Sequence, residues 1–148
     1  MICKDALDLI KSFEVCRLTA YEFKPELFAI GWGTTNYEDG AAVKPGDVIT
    51  QERADELLEN VVAMIEERVW RAARFRLTDN QLGALTCFAY SVRPGTFQQS
   101  NILAQVNRDP ADLKLRRIWM YENVRPGSTY EKELRRRREQ EVDLYFKK

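Results

Sequence analysis

The hydrophobic pattern of this chain changes period between Lys11 and Trp32, and that change limits the folds open to it. Ile2, Ala6, Leu9, Ile10 and Phe13 recur at helical spacing, so residues 3–13 read as an amphipathic helix with its apolar face turned inward. Beyond them, residues 18–23 and 27–32 are rich in aromatic and β-compatible side chains. Lys24-Pro25-Glu26 reads as the turn between them, with Pro25 fixing φ at the turn's second position. A helix therefore hands over to a β-hairpin, and Glu14 sits at the junction, one residue past the apolar Phe13. A carboxyl held half against an apolar wall has its charged form disfavoured by desolvation, which suits a general acid working near neutral pH. An ordinary solvated glutamate at a helix end is the competing reading of the same position.

Helical spacing returns after a stretch of turns that includes Gly31-Trp32-Gly33-Thr34-Thr35-Asn36 and Lys44-Pro45-Gly46-Asp47. Thr50 is a candidate N-cap, and Ala54, Leu57, Leu58, Val61, Val62, Ile65, Val69, Trp70 and Ala73 then hold one face for about six turns. Thr78 and Gln81 form a capping box, with Leu77 placed to staple against Leu82, for a helix reaching Val92. Arg93-Pro94-Gly95 ends it. Thr96 with Gln99 suggests a second capping box for a helix to about Asn107, and Asp109-Pro110 opens a helix whose Ala111, Leu115, Ile118 and Trp119 share a face. Ser128 with Glu131 suggests a third capping box for a last helix, residues 129–146, with Tyr130, Leu134, Val142 and Tyr145 facing inward. This order predicts an α+β fold with a small antiparallel sheet and a mainly helical body.

Several chemistries are excluded by composition. The 148 residues include no histidine, which removes imidazole acid–base catalysis, His-dependent triads and histidine metal sites. The three cysteines, Cys3, Cys16 and Cys87, have no CxxC spacing and are expected as free thiols. No metal or other cofactor is expected, and catalysis would rest on carboxylates, hydroxyls or amides. The N-terminal apolar run is broken by Asp5 and Asp8, so neither a signal peptide nor membrane insertion is expected. Charge is uneven: residues 1–65 carry 6 basic and 12 acidic groups, and residues 66–148 carry 17 and 11. A basic second half suits a polyanionic partner, nucleic acid or an anionic wall polymer, although a solvated charged surface has the same composition.

The run 135–138 is four arginines on a helix. Consecutive residues point around the whole helix, so Arg137 or Arg138, flanked by Leu134 and Val142, should lie near the inner face and need a buried acidic partner, for which Glu14 is the candidate. Thr86, Gln98, Gln99, Ser100 and Asn101 form a polar cluster able to bind sugar hydroxyls, Trp32 could stack on a sugar ring, and Thr34 could present a hydroxyl beside Gly33.

These segments together resemble the phage-type lysozymes, the endolysin family of glycoside hydrolases. LIKSFEVCRLTAY (9–21) is similar to the family's opening helix and catalytic glutamate, and AIGWGTT (29–35) to its sheet motif. VKPGDVITQERADELL (43–58) is similar to its post-sheet segment, LTDNQLGALTCFAYSV (77–92) and FQQSNILAQVN (97–107) to its central helices, and RRREQE (136–141) to its terminal helix. The resemblance implies one domain with a two-lobed lysozyme-like fold: a β lobe over about 15–48, a connecting helix over about 50–74, and a helical lobe from about 1–14 and 66–148. It implies hydrolysis of the N-acetylmuramic acid to N-acetylglucosamine bond, with Glu14 as general acid and Arg137 as the arginine that accompanies it in the family. Four positions depart from the pattern: Phe23 stands where the family keeps an Asp, Ala29 where it keeps a Thr, Val15 where it keeps a Gly and Thr34 where it often has a His.

Glycoside hydrolysis generally uses two carboxyl groups. Glu26, in the turn and free to move, is the first candidate for the second. Glu22 would need a bulge to reach the face that Phe23 takes. The expectation is thus a monomeric peptidoglycan hydrolase with catalytic Glu14, Glu26 and Arg137, and with Trp32, Thr34, Gln98 and Asn101 on the sugar. Its partner is bacterial peptidoglycan, with no nucleic acid, and it would be made in the cytoplasm and act on the wall after release. A lysozyme-fold protein that binds wall glycan without cleaving it, and a nucleic-acid-binding protein resting on the basic second half alone, are the alternatives.

Overall fold

Lys4–Phe13 forms helix α1, and the hairpin follows as strands β1 (Arg17–Lys24) and β2 (Leu27–Gly31) in the computed structural model, which describes residues 2–148. Six further helices complete the mixed α+β order: α2 (Gln51–Ala72), α3 (Asp79–Val92), α4 (Pro94–Gln98), α5 (Asn101–Val106), α6 (Leu115–Tyr121) and α7 (Glu131–Phe146). The chain divides into two compact units. One spans Ile10–Val62, and the other combines the stretch up to Leu9 with Ala63–Lys148.

In the sheet-bearing unit β1 and β2 pair antiparallel, and residues 47–49 lie along β1, where the Ala20 N–H donates to the Asp47 carbonyl at 2.9 Å and the Ile49 N–H to the Leu18 carbonyl at 2.9 Å. The unit's interior is Ile10, Ala29, Ile30, Val43, Ala54, Leu57, Leu58 and Val62. Thr50 caps α2 as its position suggested, its Oγ1 accepting from the Arg53 N–H at 3.1 Å. Glu38, in the loop after β2, takes both guanidinium nitrogens of Arg53 at 2.6 and 2.7 Å and the Asn60 amide at 3.1 Å, which ties that loop to α2.

The helical unit is built around α3, buried without interruption from Gly83 to Ala89. Its start is the capping box of Thr78 and Gln81 read from the sequence. Gly83 is required by packing: a Cβ there would stand 2.8 Å from both the Ala6 Cβ and the Cys3 Sγ, so α1 crosses α3 at a distance that only glycine permits. Phe88 is the hub of the aromatic core, with Phe97 at 6.2 Å and Trp119 at 6.1 Å between ring centroids, and Trp119 is in turn 5.3 Å from Tyr145. Cys87 is buried and all three cysteines are free thiols.

Three helix starts differ from the sequence reading. Pro94 opens α4, so Thr96 lies inside a five-residue helix and caps nothing. Ser100 is the cap of α5, its Oγ accepting from the Leu103 N–H at 3.1 Å. Asp109 and Asp112 instead close two successive side-chain turns, accepting from Ala111 and Lys114 N–H at 2.9 Å each, and the helix begins only at Leu115 with Ala111 exposed. Glu131 reaches back to the Gly127 N–H at 2.8 Å, with no side-chain cap at the start of α7, and Tyr130 is exposed rather than inward.

Candidate functional site

Glu14 is the residue immediately past α1, its N–H donating to the Lys11 carbonyl at 3.3 Å, and its side chain is half-buried between a half-buried Phe13 and an exposed Val15. Three residues later the chain enters β1 at Arg17. The hairpin's register runs Tyr21↔Ala29, Glu22↔Phe28 and then Lys24↔Leu27, so Phe23 is the extra residue of a β-bulge. A bulge is what the sequence reading required for Glu22 to reach the face that Phe23 takes. Phe23 itself stands 43% exposed, and Ala29 is buried. At the turn Glu26 has φ +64°, the left-handed conformation that follows Pro25 in a type II turn, and its carboxyl is exposed.

Trp32 has a fixed setting that the sequence did not disclose. Its indole Nε1 donates to Asp55 Oδ1 at 2.8 Å, the Gln51 amide donates to the same oxygen at 3.1 Å, and Lys11 Nζ lies 3.4 Å from it and 5.5 Å from the Trp32 ring centroid. The Trp32 hydrogen bond, more than the nearby Lys11 charge, holds the Asp55 carboxyl below its ordinary value. Asp55, Gln51 and Lys11 were not named as site residues from the sequence, although they lie in the segments 43–58 and 9–21 that carry the resemblance. Thr34 exchanges backbone hydrogen bonds with Ile30 at 2.9 Å in both directions, a closed loop that fixes residues 31–33. Gly31 at its start has φ +63°, and a Cβ there would approach the Ala54 Cβ to 3.2 Å.

In the helical unit Gln98 ends α4 and is exposed. Asn101 begins α5 with both its backbone and side-chain N–H groups on Glu122, at 2.8 and 3.3 Å. An open groove of about 390 Å³ runs past Asn101, Gln105, Arg108, Ile118, Tyr121 and Glu122. Of the arginine run, Arg138 is the buried member, 1% exposed, and it pairs with Glu141 of the same helix at 2.7 Å. Glu141 also accepts from the Trp119 indole at 3.1 Å, and Arg138 donates to the Ser91 hydroxyl at 2.6 Å. Burial pushes the Glu141 carboxyl up against the pull of Arg138. Arg137 is 11% exposed, with its Nε 3.4 Å from Glu141 Oε2.

Among the described residues no group of three or more Cys, Asp or Glu side chains is arranged to hold a metal ion, and no helix is long and apolar enough to cross a membrane. The chain is 34% identical over 147 residues to an endolysin of Bacillus phage B103, a stretch covering 98% of this chain and 54% of that protein. It spans about half the length of the Bacillus phage endolysins it matches. Its fold is similar to an endolysin from Escherichia coli O157:H7 phage FAHEc1, with a TM-score of 0.85, 28% identity and coverage of 99% of this chain and 93% of that one. It is also similar to the muramidase domain of SpmX from Asticaccaulis excentricus, with a TM-score of 0.82, 29% identity and coverage of 100% and 99%. The phage lysozyme family model matches residues 11–141, from the last turn of α1 through Glu14, the hairpin and Trp32 to Glu141 in α7, and the chain belongs to that family.

Proposed function

We propose that the protein is a peptidoglycan hydrolase cleaving the bond between N-acetylmuramic acid and N-acetylglucosamine. The observation that carries this is the family match over residues 11–141, and it is supported by Glu14 standing half-buried just past α1, a setting that suits a general acid. In this reading Glu14 protonates the departing glycosidic oxygen, and a second carboxylate activates water or attacks the sugar. Glu26 is the first candidate for that carboxylate. The bulge at Phe23 makes Glu22 a second, because alternation no longer sets Phe23 and Glu22 on opposite faces.

Trp32, held at its indole nitrogen by Asp55, supplies a ring for a sugar to stack on, and Thr34, Gln98 and Asn101 supply hydrogen bonds to sugar hydroxyls or acetamides. Arg137 completes the catalytic set, tested by Arg137→Ala losing more lytic activity than Arg135→Ala. The wall is the substrate, reached after synthesis in the cytoplasm, and the monomer is the working unit. The decisive measurement is release of reducing ends from purified peptidoglycan, with turbidity loss of permeabilised bacteria as the second readout. Glu14→Gln should abolish both. A parent protein that sediments with the wall and releases no reducing ends would replace hydrolysis by glycan binding.

A further inference from the structure

We propose that the face formed by the end of α2 and the segment after it, residues 64–76, docks on an anionic phospholipid bilayer surface. Three large apolar side chains stand out into solvent there: Trp70 is 66% exposed, Met64 61% and Phe75 45%. Around them are four exposed arginines, Arg68, Arg71, Arg74 and Arg76. Met64, Glu67, Arg68 and Arg71 line one shallow groove of about 270 Å³, and Trp70, Arg71, Ala73, Arg74, Phe75 and Arg76 line a second of about 590 Å³. Arg71 borders both, so the two form one strip.

The strip is positive on balance. Glu67 is engaged by Arg71 at 2.6 Å, and Glu66 is buried, which leaves one exposed acid against four arginines. It is also held in shape. Asn107 accepts from the Arg74 N–H at 2.8 Å and donates to the Ala72 carbonyl at 3.0 Å, while Val69 beneath is fully buried. The aromatic side chains are thus presented outward by a fixed backbone, at positions where they contribute nothing to the core.

Charge complementarity selects the occupant. A phosphate polymer would account for the arginines but leaves the apolar groups unexplained, and Met64 has no flat face to stack on a base. Apolar side chains interleaved with arginines on one side of a helix end are what a headgroup layer accommodates: the rings sit at the acyl boundary and the guanidinium groups lie among the phosphates. Attachment of this kind is peripheral.

Flotation of the whole chain with vesicles tests it, using phosphatidylglycerol mixed with phosphatidylcholine against phosphatidylcholine alone. The protein should float only with the anionic vesicles and be released as salt rises. Each of Arg68→Gln, Arg74→Gln and Arg76→Gln should lower partitioning about 5-fold, and Trp70→Ala roughly 10-fold. Tryptophan emission should shift to the blue on binding, and the shift should vanish in Trp70→Phe, which leaves Trp32 and Trp119 in place. Failure to float with anionic vesicles overturns the proposal. So does equal flotation by Trp70→Ala, or duplex DNA at matched phosphate stripping the protein from vesicles, since either marks a site that reads charge alone. All the substituted side chains are exposed, and circular dichroism confirms that each variant is folded. If the arginine variants were lost, the salt series and the two tryptophan variants would still decide.

Discussion

At Glu26 the backbone and the proposed chemistry make opposite demands. A φ of +64° suits glycine, and a side chain held there is strained by about 1–2 kcal/mol. Part of that is returned on substitution through the larger chain entropy of glycine. Glu26→Gly should therefore stabilise the protein by roughly 0.5–1 kcal/mol in urea unfolding, while reducing peptidoglycan cleavage by about 10²–10⁴-fold if it supplies the second carboxylate. Unchanged cleavage in Glu26→Gly together with loss in Glu22→Gln would transfer the role to the bulge. A second residue-scale prediction concerns Arg138 and Glu141, a pair closed off from water. Glu141→Leu strands the Arg138 charge and removes the acceptor of the Trp119 indole, so it should cost about 3–5 kcal/mol. Removing both charges in Arg138→Met with Glu141→Leu should cost less than the single change, a difference that a double-mutant cycle reads directly. That an arginine of this run turns inward was legible from helical geometry. The pairing of Arg138 with Glu141 was not, because the two sit three apart on one helix and pair locally, whereas the sequence argument looked only for a distant acid.

Among the elements, the sequence was informative where one local signal acted alone and failed where two competed. Thr78 and Gln81 had no rival and form their capping box. Thr96 and Gln99 had Pro94 upstream, whose fixed φ starts α4 before Thr96 can act, and the cap of α5 passed to Ser100. Ser100→Ala should then cost about 1–2 kcal/mol, and Thr96→Ala less than about 0.5 kcal/mol, by thermal or urea unfolding. Equal effects would mean that α5 does not depend on its cap. The loop after β2 gives a pH prediction. The Arg53 hydrogen bonds hold the Glu38 carboxyl at about 2, below its ordinary 4.5. Because the folded value is the lower one, the stabilisation is complete above about 4.5 and is lost as pH falls toward 2. Glu38→Gln should flatten the stability profile over that interval, lowering stability above it, where the carboxylate is charged and paired, and leaving it little changed near pH 2. An unchanged acid limb would show that the pair is too well screened by solvent to contribute.

For the molecule as a whole, the order of periods, helical then alternating then helical, was enough to give an α+β chain with a minor sheet, because each period reports which face of an element is covered. The setting of Trp32 was hidden for the converse reason. Its partner Asp55 is 23 positions away on α2, and nothing local records that Gln51, Asp55 and Lys11 converge on one oxygen. The two compact units also differ in what holds each together. The helical unit buries Phe88, Phe97, Trp119 and Tyr145 against one another along α3, α4, α6 and α7. The sheet-bearing unit rests on a two-stranded hairpin with two register shifts and on aliphatic residues, with Leu18, Phe23 and Leu27 facing water. A two-stranded hairpin is marginal by itself, and regions with few buried apolar groups open at lower free energy than a protein's core. Native-state hydrogen exchange should therefore find the amides of Tyr21 and Ala29 exchanging through a sub-global opening, with those of Ala84 to Phe88 exchanging only at the free energy of global unfolding. Urea should merge the two classes as its concentration rises. If the amides of β1 and β2 and those of α3 already share one opening free energy in the absence of urea, the molecule unfolds as a single cooperative block and the division into units has no energetic counterpart.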